Sequence, residues 1–219
     1  MNKLTAESTL AAVERVGVVA VIRIADPSRL NDVVGALVEA GVRVMEVTMT
    51  VPGAVELIRK TAPTLPAGFV LGAGTVVDAD TATRVIDAGA AFIVSPVFRR
   101  AVVDVAVARD VLVIPGCLSP TEVLDAWDAG AGLIKIFPAT SMGPGYLKDL
   151  HGPLPHVKLM PTGGVTVDNA GDWIRAGAVA VGVGTSLLDS AAIAEGRYDV
   201  IVEKGKRIVE NVRLAREKQ

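Results

Sequence analysis

Short apolar runs recur along the chain at nearly even spacing, separated by longer stretches that mix apolar and polar residues. Eight of these runs are rich in valine, isoleucine and leucine, at residues 18–24, 43–48, 69–74, 92–95, 111–115, 133–137, 157–161 and 179–183. Strands that are buried on both faces have near-continuous apolar sequences, as in a parallel sheet covered by helices. The pattern therefore predicts eight parallel strands.

The stretches between the runs have the periodicity of amphipathic helices. The predicted helices cover residues 28–40, 53–62, 79–88, 99–109, 119–129 and 168–176. A further amphipathic segment, about 4–15, precedes the first strand, and a charged segment, about 198–217, continues the helical pattern near the carboxyl end.

The dipeptide Ala-Gly precedes every second predicted strand, with glycines at Gly41, Gly89, Gly130 and Gly177. Each glycine is placed to end a helix in the left-handed conformation. Two strand–helix units fit between successive glycines, which predicts a compact (β/α)8 TIM barrel in a single domain, residues 1–219, with segment 4–15 as an extra helix closing its bottom. A doubly wound open sheet is the alternative, but no G-x-G-x-x-G fingerprint follows the first strand.

Composition limits the classes of partner. Hydrophobic residues make up 51% of the chain and the net charge is -2, so there is apolar material for a large core and no basic excess to favour nucleic acid or an anionic membrane. No apolar run approaches the ~20 residues of a membrane span. Glu7 and Glu14 lie where a secretory signal would be uncharged, which favours a cytoplasmic location.

Sulfur and imidazole groups are scarce. Cys117 is the single cysteine, which excludes an internal disulfide framework, fits a reducing cytosol and favours a small buried hydrophobe over a catalytic thiol. His151 and His156 have no cysteine or carboxylate partner at ligand spacing, so we interpret them as surface residues and predict no metal site.

One lysine lies inside an apolar run. Lys135 belongs to the run Leu133–Pro138, which contains the sixth predicted strand, 133–137, and neither face of this strand has the polar residues of a water-facing surface. Burial disfavours the charged form and lowers the pKa from about 10.4, and a partly neutral lysine is a nucleophile towards ketones. The sequence thus suggests Schiff-base chemistry; the alternative is an edge strand with Lys135 in solvent.

A carboxylate is equally out of place in the second strand. Glu46 lies in Val44–Thr48, and side chains of one barrel layer come from alternate strands, so Glu46 and Lys135 are predicted to share a layer at the mouth. A buried charge needs a partner. The pair is interpreted as catalytic, with a purely structural ion pair as the alternative.

Other strand ends carry groups suited to anions. Strands seven and eight end in glycine-rich turns, residues 161–165 and 182–186, where barrels usually bind phosphate through backbone amides. Strand three ends in residues 72–75, Gly-Ala-Gly-Thr, which suits a small carboxylate. Arg23 ends strand one and could pair with Glu46, hold a substrate anion or face solvent; the substrate anion is favoured.

Several of these motifs together resemble the 2-keto-3-deoxy-6-phosphogluconate (KDPG) and 4-hydroxy-2-oxoglutarate (KHG) aldolase family. They are Glu46-Val47-Thr48, Gly72-Ala73-Gly74-Thr75, Ser95-Pro96, Pro115-Gly116, Lys135-Ile136-Phe137-Pro138 and Pro161-Thr162-Gly163-Gly164. The resemblance implies a class I aldolase of the Entner–Doudoroff pathway, usually a homotrimer of (β/α)8 barrels, that needs no metal or other cofactor and acts on a phosphorylated keto acid.

The resemblance also implies roles for individual residues. Lys135 is the Schiff-base lysine and Glu46 the proton shuttle, acting partly through a bound water. The substrate contacts it implies are Thr75 on the pyruvyl carboxylate, Pro96 and Phe137 as apolar walls, Thr162 near the bond to be cut, and Gly163, Gly164, Gly184 and Thr185 around the phosphate.

The chain departs from the family pattern at one turn. Some members carry an arginine after the glutamate strand, where this chain reads Met49-Thr50, so the carboxylate is expected to rely on Thr75, Thr50 and Arg23. Related 6-phosphogalactonate aldolases share the barrel and the lysine but typically lack the Glu-Val-Thr and Pro-Thr-Gly-Gly forms, which favours KDPG as substrate.

Other functions stay open on the residues alone. A metal-dependent phosphosugar epimerase or isomerase would require histidine and aspartate ligands at strand ends, where this chain shows none. A non-catalytic assembly scaffold on the same barrel is disfavoured by the presence of Lys135, Glu46 and the phosphate turns. A related pyruvate aldolase that acts on KHG or on the 6-phosphogalactonate analogue of KDPG, or that decarboxylates oxaloacetate, would use the same lysine and glutamate.

Overall fold

The computed structural model describes residues 4–217, in which helices separate successive strands except β5 and β6, and two helices follow β9. The strands are β1 (Val18–Ile22), β2 (Val44–Thr48), β3 (Val70–Gly74), β4 (Phe92–Val94), β5 (Leu112–Ile114), β6 (Gly116–Cys117), β7 (Ile134–Ile136), β8 (Leu159–Pro161) and β9 (Val181–Val183). The helices are α1 (Ala6–Val16), α2 (Leu30–Glu39), α3 (Ala54–Thr61), α4 (Ala79–Asp87), α5 (Arg100–Ala108), α6 (Pro120–Asp128), α7 (Gly145–His151), α8 (Ala170–Arg175), α9 (Ser190–Ala194) and α10 (Asp199–Arg216).

The strands pair in parallel in two sheets, with orders β5-β4-β3-β2-β1-β9 and β6-β7-β8. This confirms the parallel α/β part of the prediction. The fifth apolar run extends into two segments, β5 and β6, because Pro115 between them has no N–H to donate to a ladder. Thr162, just after β8, forms a parallel bridge with Gly182 of β9.

The four Ala-Gly glycines end α2, α4, α6 and α8 as predicted. Their φ angles are 79°, 99°, 98° and 105° for Gly41, Gly89, Gly130 and Gly177, a region that residues with a Cβ rarely adopt. The N–H of Gly41 donates to the Val38 carbonyl and that of Val42 to the Leu37 carbonyl, the Schellman arrangement.

Two helices lie where the sequence analysis made no specific prediction. Helix α7 begins at the last residue of a Gly-Pro-Gly segment, residues 143–145, which is typical of a turn, yet Leu147 and Leu150 are buried on its inner face. Helix α9 is short and is capped by the Asp189 side chain, which accepts from the Ala191 and Ala192 N–H groups. Tertiary packing and one cap thus form helices that periodicity over so few residues does not indicate.

Alternate residues of the strands form an interior core, separate from the layer between strands and outer helices. The interior core is the buried cluster of Ala12, Val13, Val19, Val44, Val70, Phe92, Val94, Leu112, Ile114, Leu133, Met160 and Ala180. Helix α1 contributes the first two, packing against one end of the strands, and a capping box between Thr5 and Ser8 starts this helix. Within residues 4–217, no helix is both long and apolar enough to cross a bilayer.

Candidate active site

Glu46 lies on the interior face of β2. Period-two alternation places it one level above Val44 of the interior core, and in the sheet it pairs with Val21 of β1 and Gly72 of β3. Its exposure is 1%, and its Oε2 has no hydrogen-bond partner among the described residues. The carboxylate is therefore deeply buried without the bonds that usually compensate burial.

Gly74 provides the space that this carboxylate occupies. A Cβ at Gly74 would lie 2.3 Å from Glu46 Oε1 and 3.2 Å from Thr48 Cγ2. The second glycine of the Gly-Ala-Gly-Thr motif is thus required for packing against the carboxylate.

Lys135 lies at the centre of β7, which pairs with β6 and β8. Leu133 below it belongs to the interior core, and Phe137 follows above, with Lys135 Nζ 4.6 Å from the Phe137 ring centroid. The side chain is 6% exposed. The edge-strand alternative, with Lys135 in solvent, is therefore wrong.

The pKa values of the two groups move towards each other. Burial lowers the pKa of Lys135 below its ordinary 10.5, and the charge of Arg23 acts in the same direction, while Glu46 opposes both. Burial raises the pKa of Glu46 above its ordinary 4.5, against the positive charges of Lys135 and Arg23. Loss of hydration is the largest cause for each group.

No direct ion pair joins Glu46 to Lys135 in the described part of the chain, so the structural ion-pair alternative has no support in the geometry. Their charges still act on each other, since Glu46 raises the pKa of Lys135 and Lys135 lowers the pKa of Glu46. Because burial disfavours charge on both, it favours the neutral form of the Lys135 amine and of the Glu46 carboxyl group. Such a pair combines a nucleophile with an acid–base group.

Arg23 and a threonine pair lie at the ends of the first two strands. Arg23 is exposed and, among residues 4–217, makes no ion pair. Thr48 is buried, its Oγ1 donating to the Ile22 carbonyl at 3.1 Å and lying 2.7 Å from Thr50 Oγ1. This contact holds Thr50 against the end of β2, where the sequence predicts carboxylate binding. Period-two alternation from Glu46 could have identified Thr48, which the sequence analysis did not select.

A cavity of about 180 Å³ is lined by most of the residues that were predicted to contact the substrate. Its lining includes Arg23, Phe137, Thr162, Gly163, Gly164, Gly184 and Thr185. Gly163 and Gly164 have φ angles of 87° and 73°, and a Cβ on Gly164 would lie 2.7 Å from the Thr140 Cα. In the described chain, the N–H groups of Gly164 and Thr185 donate to no protein acceptor, which leaves them available to an anion.

Three predicted contacts, Thr50, Thr75 and Pro96, lie at strand ends outside that lining, which also does not include Glu46 or Lys135. Thr75 follows β3 with a left-handed φ of 61°, which is rare for a residue with a branched Cβ. Pro96 lies against Gly116, where a Cβ would come 2.4 Å from the Pro96 carbonyl oxygen. The structure therefore groups the predicted phosphate residues in one cavity and leaves Thr50, Thr75 and Pro96 at other strand ends.

The thiol of Cys117 and the two histidine rings have surroundings that explain them without a role in the candidate site. Cys117 is buried, its Sγ donating to the Glu122 carbonyl, and burial raises the pKa of its thiol to about 12, as fits a small hydrophobe. His151 is half-buried against the Val157 carbonyl and His156 is exposed beside Trp127. Only His156 is thus the surface residue that we predicted.

Comparison with known proteins identifies the family that the chain matches. The model of the aldolase family described as KDPG and KHG aldolase matches residues 10–204. A probable 2-dehydro-3-deoxy-6-phosphogalactonate aldolase of Rhizobium meliloti (strain 1021) is 34% identical over 77% of this chain and 80% of its own length. The KHG/KDPG aldolase of Escherichia coli (strain K12) is 34% identical over 82% of this chain and 84% of its own.

Solved structures agree with this match. A KDPG aldolase from Legionella pneumophila, with pyruvate captured at low pH as a covalent carbinolamine intermediate, superposes with a TM-score of 0.84 at 29% identity, covering 90% of this chain and 96% of the other. A cube-shaped porous cage, designed by fusing symmetric oligomeric domains, gives a TM-score of 0.85 at 28% identity, covering 93% of this chain and 74% of the other.

Proposed function

The chain belongs to the KDPG and KHG aldolase family, whose homologues are class I aldolases, and on this basis we propose that it cleaves KDPG to pyruvate and glyceraldehyde 3-phosphate through a Schiff base on Lys135. The observation that carries the proposal is the burial of Lys135 and Glu46 on one face of the strands, which favours a neutral amine beside a carboxyl group.

The first step is formation of the imine. The neutral amine of Lys135 attacks the C2 ketone of the substrate and gives a carbinolamine. The carboxyl group of Glu46 protonates the departing hydroxyl, directly or through water, so that water leaves and a protonated imine remains. This cation is an electron sink, and the step therefore needs no metal or cofactor.

Cleavage then uses the same carboxylate. Glu46, now ionised, accepts the proton of the C4 hydroxyl while the C3–C4 bond breaks, its electron pair flowing into the imine to give an enamine. Glyceraldehyde 3-phosphate leaves, C3 takes a proton back, and water hydrolyses the imine to pyruvate and free Lys135. One carboxylate can serve each transfer because the transfers occur in sequence.

The remaining residues orient the substrate. We assign the phosphate to Gly163, Gly164, Gly184 and Thr185, and the substrate chain beside the bond to be cut to Thr162. We assign binding of the substrate carboxylate to Thr75, Thr50 and Arg23. The apolar walls around the pyruvyl part are assigned to Pro96 and Phe137. Free amides and two left-handed glycines support the phosphate assignment, and binding the phosphate away from the reacting bond aligns C3 and C4 for cleavage.

The choice of KDPG rests on the Glu-Val-Thr and Pro-Thr-Gly-Gly forms, since relatives named for KHG/KDPG and for the 6-phosphogalactonate substrate match at the same 34% identity. KHG and the galactonate analogue are the alternative substrates. Measuring kcat/KM for all three compounds ranks them, and we expect KDPG to give the highest value; a higher value for the galactonate analogue would reverse the assignment.

Incubation with pyruvate and borohydride is expected to attach a reduced pyruvyl group to Lys135. Borohydride traps an imine as a stable amine, and peptide mass spectrometry then locates it. Lys158, a partly exposed lysine paired with Glu14, is an internal comparison that should stay unlabelled. A folded protein without an adduct on Lys135 would remove the Schiff-base proposal and favour the scaffold alternative.

The rate of imine formation with pyruvate is expected to rise with pH, because only the neutral amine attacks. Its midpoint should lie below 10.5, the ordinary value, since burial lowers the pKa of Lys135. Arg23→Gln removes a charge that lowers this pKa and should move the midpoint to higher pH, whereas Arg23→Lys keeps the charge and should not. Borohydride trapping at a series of pH values measures the midpoint; an unmoved midpoint in Arg23→Gln would contradict the electrostatic role.

We also propose that the two sheets close into the eight-stranded barrel, with β5 and β6 as one interrupted strand. The interior core supports this, because it includes residues of both sheets, drawn from or directly before every strand except β6, together with two residues of α1. The Thr162–Gly182 bridge and the bond from the Val179 N–H to the Leu159 carbonyl connect β8 to β9.

For the assembled protein we propose a homotrimer, as the resemblance implies, and a cytoplasmic location in an Entner–Doudoroff pathway. A designed cage built from symmetric oligomeric domains is a structural neighbour, which supports self-association of this fold. Light scattering coupled to gel filtration would give the mass; a value near the 22.7 kDa of one chain would exclude the trimer.

A further inference from the structure

Two strands meet at the cavity through Thr162 and Gly182. The residues form a parallel bridge, and both line the cavity to which we assign the substrate. Gly182 carries no assigned role, and its φ lies outside the left-handed region, so the backbone does not require glycine there.

The Thr162 hydroxyl occupies the place of the missing side chain. A Cβ at Gly182 would lie 2.2 Å from Thr162 Oγ1 and 3.3 Å from both its Cβ and its Cγ2. The first distance is far inside van der Waals contact, whereas the other two are only tight. An alanine at 182 would therefore collide chiefly with the hydroxyl.

The backbone of Thr162 is held on both sides. Its N–H donates to the Ile136 carbonyl at 2.9 Å, and its own carbonyl accepts from the Ala139 N–H at 3.0 Å. The side chain can consequently respond to a new Cβ mainly by rotating to another staggered position, which carries the hydroxyl away from its present place.

This hydroxyl is buried in an unusual way. Thr162 is 8% exposed, and its Oγ1 has no hydrogen-bond partner among the described residues. A buried hydroxyl without a partner is unfavourable, so it requires an explanation, and here its position in the cavity lining makes contact with a bound ligand the explanation that fits.

We propose that Gly182 is a positioning residue: its lack of a side chain holds the Thr162 hydroxyl in the cavity, pointed at the hydroxyl-bearing part of a sugar-acid substrate beside the bond to be cut. The inference rests on the proposed aldolase function and extends it to a residue that touches no reacting atom. In the proposed mechanism, the half of the substrate that becomes pyruvate reacts at Lys135 and Glu46. Gly182 should therefore affect cleavage of the full substrate and leave the reactions of pyruvate by itself unaffected.

Gly182→Ala is the test, with two activities measured on the same folded protein. Cleavage of KDPG uses the Thr162 contact, and we expect kcat/KM to fall on the order of 10- to 100-fold, as for other small misplacements of a contact group. Exchange of the pyruvate methyl hydrogens in D₂O uses only Lys135 and Glu46 and should be unchanged. Gly35→Ala, on α2 where a Cβ meets open space, is the control and should leave both activities unchanged.

A double-mutant cycle separates positioning from general damage. In a Thr162→Ala background the hydroxyl is absent, so adding Gly182→Ala should cost nothing further. Three results would overturn the inference: an equal loss in both backgrounds, a parallel loss of exchange, or full cleavage activity in Gly182→Ala. Absence of exchange in the unmodified protein would instead overturn the proposed function itself.

Discussion

Lys135→Ala is expected to abolish cleavage while the protein remains folded. Without the amine, no imine forms and the C3–C4 bond has no electron sink, so kcat should fall by a factor on the order of 10⁵, as when an enzyme loses its nucleophile. The fold should survive because the change removes a group whose burial costs hydration. Measuring pyruvate release and thermal unfolding on the same sample tests both parts.

Lys135→Met is the matched control for this prediction. Methionine keeps most of the buried volume and contact with Phe137 while it lacks the amine. We expect it to be as inactive as Lys135→Ala and to unfold at or above the temperature of the unmodified protein, because a buried amine is replaced by an apolar chain. Substantial cleavage in either variant would show that another group carries the chemistry.

Glu46→Gln is expected to slow cleavage by about 10²- to 10⁴-fold, the usual contribution of a general acid–base group. Glutamine has nearly the same shape and fits beside Gly74, so the variant should fold. Imine formation with pyruvate should persist, since Lys135 is still present. Borohydride trapping measured beside turnover separates the two steps.

The same variant should move the pH dependence of trapping in a defined direction. The Glu46 charge raises the pKa of Lys135, so its removal lets that pKa fall further, and the midpoint of imine formation should shift to lower pH. Glu46→Asp, which keeps the charge but shortens the side chain, should retain the midpoint more closely while losing proton-transfer rate. A Glu46→Gln protein that cleaves at the full rate would exclude Glu46 as the proton shuttle.

Much of this architecture could be predicted from the sequence because its signals are local. The apolar runs correspond to strands because residues buried on both faces leave no polar alternation, and the Ala-Gly pairs mark helix ends because glycine alone adopts their φ angles freely. Lys135 and Glu46 could be selected because a charge inside an apolar strand conflicts with its surroundings.

The remaining features depend on distances between strands. Nothing local in the sequence indicates that Gly74 makes room for Glu46, or that Gly182 makes room for Thr162, because each pair is brought together by strand register and side-chain rotamer. Helix α7 is not predicted for a related reason: its two leucines are buried in a core built from residues throughout the chain, while its first residues resemble a turn.

Along strand β2, the residue that packs in the core and the residue that is proposed to react lie at different levels of the barrel interior. Val44 belongs to the interior core, Glu46 lies one level higher and Thr48 lies above it, so a single strand supplies a packing residue, a reactive residue and a hydroxyl in succession. Protein engineering commonly finds that stabilising changes at reactive positions reduce activity. Here, laboratory evolution for heat resistance can change a separate set of residues, those in the lowest level of the strands and in α1. Repacking these residues should not alter the pH profile of the reaction.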